Sequence, residues 1–469
     1  MSGALIAAVT TRMRGRVITP ADDDYESERF VFNGRIDKEP AAIVRVAGID
    51  DVVGAVRLAQ EFDVELAVRG GGHGTAGFGT CEGGIVIDFA DRTEVRVNPV
   101  TRRAWADAGA RWAGFNEATH SFGLATTGGL AGREGVAGLT LGGGVGHLCR
   151  KYGLTCDNLV SAVVVTADGR VRTASASENE DLFWALRGGG GNFGVVTSFE
   201  FQLHPVDFAH AGVVFYPLDQ ARSVAAFYRE HLASAPDDFT ALLGFKLGPA
   251  VPYLPEQWHG KPVCFVAGLW LGNAEEGDAR WRPYLDVAPV AGSLVKRMPY
   301  PEVNGMFGDE VPPGLHAYYK SNFLSELSDG AVSAYTDFGR MVPSLQTSVH
   351  IHPIDGAVQR VGAEETAFAY RHSRFAPGIG CIWEDPDDTL ENIQWVRDFW
   401  TALRPFSEPG GYINFMDADD QDRIVDNFRS NYDRLARIKR EYDPDNLFRL
   451  NQNIKPADPV FSTFHRHES

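Results

Sequence analysis

Val64-Glu65-Leu66-Ala67-Val68-Arg69-Gly70-Gly71-Gly72-His73 reads as a strand-like apolar run that ends in three glycines and a histidine. Consecutive glycines let backbone pass close to a bulky anion, because no Cβ stands in the way. Their amides can turn toward phosphate oxygens and form an anion-binding concavity. A histidine at the lip of such a loop, followed here by Gly74, is placed to touch whatever the loop holds.

Working outward, the segment before the loop carries a helix signal from Asp50-Asp51 to about Glu61, and the segment after it a strand, Gly84-Ile85-Val86-Ile87-Asp88. Two short strands are expected at 94–97 and 103–106, and a helix over 110–121. A second glycine-dense stretch follows, with its core at Gly135-Val136-Ala137-Gly138-Leu139-Thr140-Leu141-Gly142-Gly143-Gly144-Val145-Gly146. So many glycines would weaken a regular element. They suit either backbone packed on a flat or charged ligand, or tight turns and close helix packing. Asp168-Gly169 between two apolar runs predicts a hairpin over 159–174. A third cluster, Arg187-Gly188-Gly189-Gly190-Gly191-Asn192-Phe193-Gly194-Val195-Val196, leads into an alternating strand.

After Pro205 the glycine clusters stop. Strands are expected at 212–215, 242–247, 263–271, 347–351 and 381–383, with helices over 218–234, 276–285 and 389–403. This pattern predicts an antiparallel sheet with helices on one face. A last helical block spans 422–442 and stops at Asp443-Pro444. The tail from Phe461 is polar and is expected to fray. The division expected is 1–205, 206–420 and 421–469.

The chain has 469 residues and a net charge of −18. That length predicts two domains, and that charge argues against nucleic-acid or anionic-membrane partners. No apolar run approaches a membrane span, and the N-terminus lacks a signal-peptide pattern, so a cytoplasmic protein is expected. The odd set Cys81, Cys149, Cys156, Cys264 and Cys381, without Cys-x-x-Cys, predicts reduced, mostly buried thiols. No dinucleotide fingerprint, P-loop or serine-hydrolase elbow is present. His350-Ile351-His352 puts two imidazoles on one strand face, but only Asp355 is near. Lining of a substrate cavity is the better reading, and no metal is expected. Three glycine clusters in the first ~200 residues favour a large phosphate-bearing cofactor.

These residues together resemble the berberine-bridge-enzyme-like flavoproteins of the vanillyl-alcohol-oxidase and p-cresol-methylhydroxylase superfamily, with the texture of its bacterial 6-hydroxy-D-nicotine-oxidase-like branch. The motifs are Arg69 to Gly74, Gly135 to Gly144, Arg150-Lys151-Tyr152-Gly153-Leu154, Asp157-Asn158, Asp181 to Thr197, Tyr412-Ile413-Asn414-Phe415, Tyr442 to Phe448 and Asn451-Gln452-Asn453-Ile454. The resemblance implies an α+β protein. A PCMH-type FAD-binding domain would be built from the N-terminal ~205 residues and the C-terminal segment, with a substrate domain between them. It also implies a covalent bond from His73 to the flavin 8α-methyl group. The cofactor set would be Arg69, Gly70, Gly71, Gly72, His73, Gly74, Glu134, Gly135, Gly138, Gly142, Gly143, Gly144, Gly194, Val195, Val196, Asn451 and Asn453.

Three departures from the family pattern stand out. Ala131 occupies the position of a second, cysteinyl link, so a single bond is expected. Glu134 replaces a small or apolar residue near the flavin's oxygen-reactive edge. It is either a base or oxygen-tuning group, or pairs with Arg133 toward solvent. Phe415 stands where many relatives have a tyrosine base, and Gly378-Ile379-Gly380 where plant members have a glutamate. The remaining base candidates are Tyr412, His350, His352 and Glu134. The resemblance thus implies an oxidase of a small organic molecule, a secondary metabolite or an alkaloid-like compound or alcohol, with O2 returning the flavin to its oxidised state and giving peroxide. An oxygenase, a dehydrogenase or a non-catalytic flavin-binding protein on the same scaffold are the alternatives.

Overall fold

The computed structural model describes residues 2–308 and 311–459. Strands β1 (Arg16–Ile18), β2 (Ala42–Arg45), β3 (Leu66–Arg69) and β4 (Ile85–Asp88) form a sheet in the order β1-β2-β4-β3, with β2, β4 and β3 parallel. Parallel strands are covered on both faces and therefore read as unbroken apolar runs. Ile85, Val86 and Ile87 are all fully buried. The crossover helix Ile49–Phe62 joins β2 to β3. Asp51 in its first turn accepts the amides of Arg14 (2.7 Å), Gly15 (3.0 Å) and Ala47 (2.8 Å). One carboxylate thus fixes both the helix start and the incoming chain.

Strands β5 (Val95–Asn98), β6 (Arg103–Asp107), β8 (Leu159–Val165), β9 (Val171–Ser175) and β10 (Val195–Gln202) form an antiparallel sheet in the order β5-β6-β10-β8-β9, while β7 (Leu124–Ala125) pairs with β11 (His204–Pro205). One apolar core serves both of these larger sheets. It holds Val44, Ile87, Phe115, Val164 and Phe199 together with Ile413, Leu435, Ile438 and Phe448 from the far end of the chain.

The seven-stranded antiparallel sheet runs β15-β12-β14-β13-β17-β18-β16. Its strands are β12 (Phe208–Pro217), β13 (Phe239–Leu247), β14 (Pro262–Trp270), β15 (Gly292–Pro299), β16 (His316–Ser321), β17 (Ser348–Pro353) and β18 (Phe375–Trp383). Side-chain alternation divides its two faces. Leu243, Phe245, Val349, Ile351, Ile379 and Cys381 pack against the helices Ala221–Ser234, Gly277–Asp286, Asp329–Gly339 and Thr389–Leu403. Their neighbours Leu242, Ser348, His350 and Ile382 line a cavity instead. The α+β architecture, with an antiparallel sheet covered by helices, is as the sequence predicts.

Two buried ion pairs join this sheet to the glycine-rich part. Arg371 makes two 2.7 Å bonds to the two carboxylate oxygens of Asp157, the bidentate geometry that favours arginine. Arg150 bonds Asp355 at 2.7 Å and donates to the carbonyls of Leu232, Ala235 and Phe239.

The structure differs from the sequence pattern in several places. The helix Ser2–Arg12 packs Leu5 and Val9 into the first core. β15 and β16 are added to the third sheet, and the helix Asp329–Gly339 to its covering layer. The 422–442 block is broken into Ile424–Phe428 and Tyr432–Tyr442, with Arg429 at φ 49° between them. The left-handed backbone at Arg429 ends the first helix. The polar tail 461–469 lies outside the described residues. All five cysteines are free and buried. Among the described residues no helix is long and apolar enough to cross a membrane, and no three metal-ligating side chains come together to hold an ion.

Candidate active site

A cavity of about 420 Å³ lies between the glycine-rich sheets and the open face of the seven-stranded sheet. β3 delivers Arg69 to its edge, where the guanidinium bonds buried Asp88 at the end of β4 at 2.9 Å. The loop from Gly70 to Gly74 then runs along the wall. A Cβ on Gly71 would lie 2.6 Å from Cα of Gly135, and one on Gly135 would lie 2.6 Å from N of Gly71. Two glycine clusters therefore meet backbone to backbone, which no side chain at either position permits.

His73 stacks on Phe32 with ring centroids 4.0 Å apart and 20° between planes. Burial, aided by the charges of Arg133 and Arg111, pushes its pKa down to about 4. The imidazole is therefore neutral at physiological pH, with a nitrogen lone pair free of a proton. Ala131 lines the same cavity, whereas buried Cys149 lies off it and accepts the amide of Gly146 at 3.1 Å.

The cavity wall brings together Arg69, Gly70, Gly71, Gly72, His73, Gly74, Glu134, Gly135, Gly138, Gly194, Val196, His350, His352, Tyr412 and Asn451. It does not include Gly142, Gly143, Gly144, Val195 or Asn453, and each omission has a physical reason. Cβ atoms at Gly142, Gly143 and Gly144 would run into the side chains of Asn414, Phe368 and Thr155, so those glycines make room for protein. Val195 points into the apolar core while Val196 faces the cavity, as strand alternation requires. Asn453 donates its amide to Gln421 at 3.2 Å.

The four base candidates differ in what already holds them. The Tyr412 hydroxyl accepts the amides of Gly144 (3.1 Å) and Val145 (3.0 Å) and the Asn414 Nδ2–H (2.8 Å). Burial holds its pKa above the usual phenol value, so it works as a brace between distant segments. His350 and His352 share a 3.3 Å contact between ring nitrogens. Burial lowers His350 to about 4 and His352 well below its ordinary value. Burial raises Glu134 to about 7, against the pull of the Leu130 and Ala131 amides.

Apart from Phe415 and the two histidines, sequence reasoning missed the opposite wall. Leu242, Phe265, Tyr319, Gln346, Ser348, Ile382 and Phe415 complete it. The Phe265 ring fills the space a side chain at Gly244 would take, and the Tyr319 ring does the same at Gly380. Register places His350 between Gly244 and Gly378, so neither of its two cross-strand neighbours carries a side chain. Extending the alternation of His350 and His352 back to Ser348 is the one sequence signal that reaches this wall.

The residues present fit FAD. Added Cβ atoms at Gly74 and Gly138 would meet no protein atom within 4 Å, so both sites open to an occupant. Buried Asn451 Oδ1 on the same wall lacks a protein partner. An elongated cavity with glycine backbone on one side and an aromatic-lined chamber on the other suits a dinucleotide with a small substrate beside it.

Comparison with known proteins points the same way. A model of the FAD binding domain matches residues 40–175, and a model described as berberine and berberine like matches residues 411–455. The chain is 39% identical to (R)-6-hydroxynicotine oxidase of Paenarthrobacter nicotinovorans, over 96% of this chain and 98% of that protein. It is 30% identical to an uncharacterised FAD-linked oxidoreductase of Bacillus subtilis, over 95% and 98%. Among solved structures, 6-hydroxy-D-nicotine oxidase from Arthrobacter nicotinovorans superposes with a TM-score of 0.83 at 26% identity, covering 95% of this chain and 98% of that one. The wild-type BBE-like 1 protein of Physcomitrella patens gives 0.86 at 22%, covering 97% and 99%.

Proposed function

Because this chain belongs to the berberine-bridge-enzyme-like family of FAD-linked oxidoreductases, we propose that it is an oxidase holding FAD through one covalent bond at His73. The observation that carries this reading is the His73 ring itself, neutral, stacked on Phe32 and placed where the glycine backbone of 70–74 meets that of 135. A neutral imidazole has the lone pair that a bond to carbon needs. Ala131 offers no thiol for a second link.

Bound FAD would supply the redox chemistry, accepting hydride from a substrate carbon and passing the electrons to O2 as peroxide. The protein's share is orientation and proton handling. Arg69, Gly70 to Gly74, Gly135, Gly138, Gly194, Val196 and Asn451 form the cofactor wall. Leu242, Phe265, Ile382 and Phe415 present an apolar face to the substrate. That face suits a compact ring system better than a hydroxyl-rich sugar chain, whose polar groups would go unpaired there. N-heterocyclic amines and carbinols, with (R)-6-hydroxynicotine as the first member to try, are therefore the proposed substrate class.

Intact mass of the denatured protein tests the assignment. The parent should carry the mass of one FAD, and His73→Ala should shed its yellow colour on acid precipitation. Colourless denatured parent protein, or retention of flavin by His73→Ala, contradicts it. Anaerobic bleaching by substrate followed by air separates an oxidase from a dehydrogenase, because only the oxidase returns rapidly with peroxide.

A further inference from the structure

Most polar groups around the cavity are already engaged with protein. Arg69 pairs with Asp88, Tyr412 accepts three protein donors, and His350 and His352 contact each other. Glu134 is held only in part, its carboxyl accepting the Leu130 and Ala131 amides. It is the one carboxylate among the described residues that line the cavity. Its Oε2 is shut off from solvent and has no hydrogen-bond partner. A buried acceptor left unmade is costly, more so when charged, and so calls for an explanation.

The space for that carboxyl is made by one residue. A Cβ on Gly129 would collide with Oε2, so Glu134 can fold into this notch only because position 129 is glycine. The notch is rigid. The Gly129 carbonyl accepts the Asn304 side-chain amide. The Glu134 amide donates to Ala131 at 3.2 Å, and its carbonyl accepts the Trp112 amide at 3.0 Å. Glu134 belongs to the cavity wall, and rotation of its carboxyl exchanges the oxygen in the notch for the one outside it, so a carboxyl on this fixed turn can receive a proton from an occupant.

Building on the flavin-oxidase reading, we propose that the Gly129–Glu134 notch supplies the proton acceptor of the reaction, with Glu134 taking the O–H or N–H proton from the heteroatom on the carbon being oxidised. The step balances. The substrate C–H bond breaks and its electron pair leaves as hydride to the FAD of that reading. The O–H or N–H pair becomes the new C=O or C=N π bond. The proton goes to the carboxylate, which becomes a neutral acid and later returns the proton to solvent. No other oxidant is needed.

Groups around the carboxyl fit this duty. Arg133 on the same turn and Arg111 at the start of the helix Trp112–His120 are cations. Tyr319 from β16 and His147, which contacts Leu130, stand near it, and His73, His350 and His352 line the same cavity. Burial keeps these four imidazoles neutral, with His73, His147 and His350 lowered to about 4 and His352 further, and raises Tyr319. Glu134, raised to about 7, is thus the one among them whose charge changes near neutrality. Below that pH it is protonated and unable to accept; above it, it is a carboxylate.

The test compares the flavin-loaded parent with Glu134→Gln and Gly129→Ala. Infrared spectra without substrate should show a protonated-carboxyl C=O band in the parent that fades as pH rises through neutrality. The band should be absent in Glu134→Gln. Anaerobic bleaching by (R)-6-hydroxynicotine should slow by about 10²–10⁴-fold in Glu134→Gln, with flavin content unchanged and the acid limb of the pH profile gone. Gly129→Ala, which displaces Oε2, should slow in the same direction. Absence of the titrating band, or bleaching of Glu134→Gln at the parental rate with the same acid limb, overturns the proposal. Parent protein that binds no flavin overturns the oxidase reading and this step with it; flavin-loaded parent beside an equally fast Glu134→Gln overturns the proton assignment alone.

Discussion

Replacing Lys439 with methionine removes an ammonium whose side chain is 0% exposed and is paired with Asp443, also 0% exposed. Nζ donates to Asp443 Oδ2 at 2.6 Å and to the carbonyls of Asn192 at 2.8 Å and Phe448 at 2.9 Å, so all three protons are used. Methionine keeps most of the stem and loses every donor. The Asp443 charge remains, held only by the amides of Leu447 (2.8 Å) and Phe448 (2.9 Å). Breaking a buried pair from one side costs about 3–5 kcal/mol. Unfolding entropy of about 2.1 cal/mol/K per residue gives about 1 kcal/mol/K for a chain this long, so Tm should fall by about 3–5 °C. Asn192 adjoins Gly191, and Phe448 lies in the wall with Asn451, so the same loss loosens the cofactor wall. Thermal unfolding followed by both calorimetry and flavin fluorescence reads the two effects. The double variant Lys439→Met, Asp443→Asn should lose less than Lys439→Met, because no uncompensated charge stays buried. A single variant within about 1 °C of the parent would refute the reasoning, as would a double variant less stable than the single one.

Acid should destabilise the protein through its buried histidines, with Glu134, raised to about 7, offsetting part of the loss. Burial lowers His147 and His350 from 6.5 to about 4. Between those values the unfolded chain takes up protons that the folded chain refuses, so stability falls as pH drops from about 6.5 toward 4, by about 1.4 kcal/mol per pH unit per group. Urea midpoints at pH 7, 6 and 5 measure this, and a midpoint unchanged across that range contradicts it. Gly143→Ala and Gly138→Ala should fail in different ways. At Gly143, with φ 114° and Phe368 2.8 Å from the added Cβ, alanine costs stability by about 1–3 kcal/mol. At Gly138 no protein atom lies within 4 Å, so alanine leaves Tm unchanged in flavin-free protein and lowers flavin content instead. Equal Tm values for the two flavin-free variants would count against this distinction.

Much of this fold was legible because its signals are local. Asp168-Gly169 between apolar runs predicts the β8–β9 hairpin, and the apolar period of 389–403 predicts a helix that spans those residues in the structure. What escaped depends on contacts far apart in the chain. β16, His-Ala-Tyr-Tyr-Lys-Ser, has no clean alternation, since Lys320 is buried against Asp419 and Asp420 at 3.3 and 2.7 Å. No window of sequence reveals that pairing. Arg429 looks like any residue of a helical run, and nothing local in the sequence marks its positive φ. The glycine-lined side of the cavity was legible as glycine motifs. Its opposite side was not, because Leu242, Phe265, Tyr319 and Ile382 come from four strands brought together by register alone.

Glycine density marks where backbones approach closely, not which partner comes close. At Gly71 and Gly135 the partner is another main chain; at Gly142, Gly143 and Gly144 it is the side chains of Asn414, Phe368 and Thr155. At Gly129 it is a carboxyl, and at Gly74 and Gly138 the space is left open. Asn414 belongs to the segment that also brings the Tyr412 hydroxyl onto the amides of Gly144 and Val145. The second glycine cluster is thus a socket for residues nearly three hundred positions away. That socket fixes Phe415 beside His352 and against Gly378. The chain's far end, seated on its glycine-rich start, thus brings Tyr412, Asn414 and Phe415 to the cavity wall, and a change at Gly142 or Gly144, neither of which lines the cavity, should alter substrate preference through them.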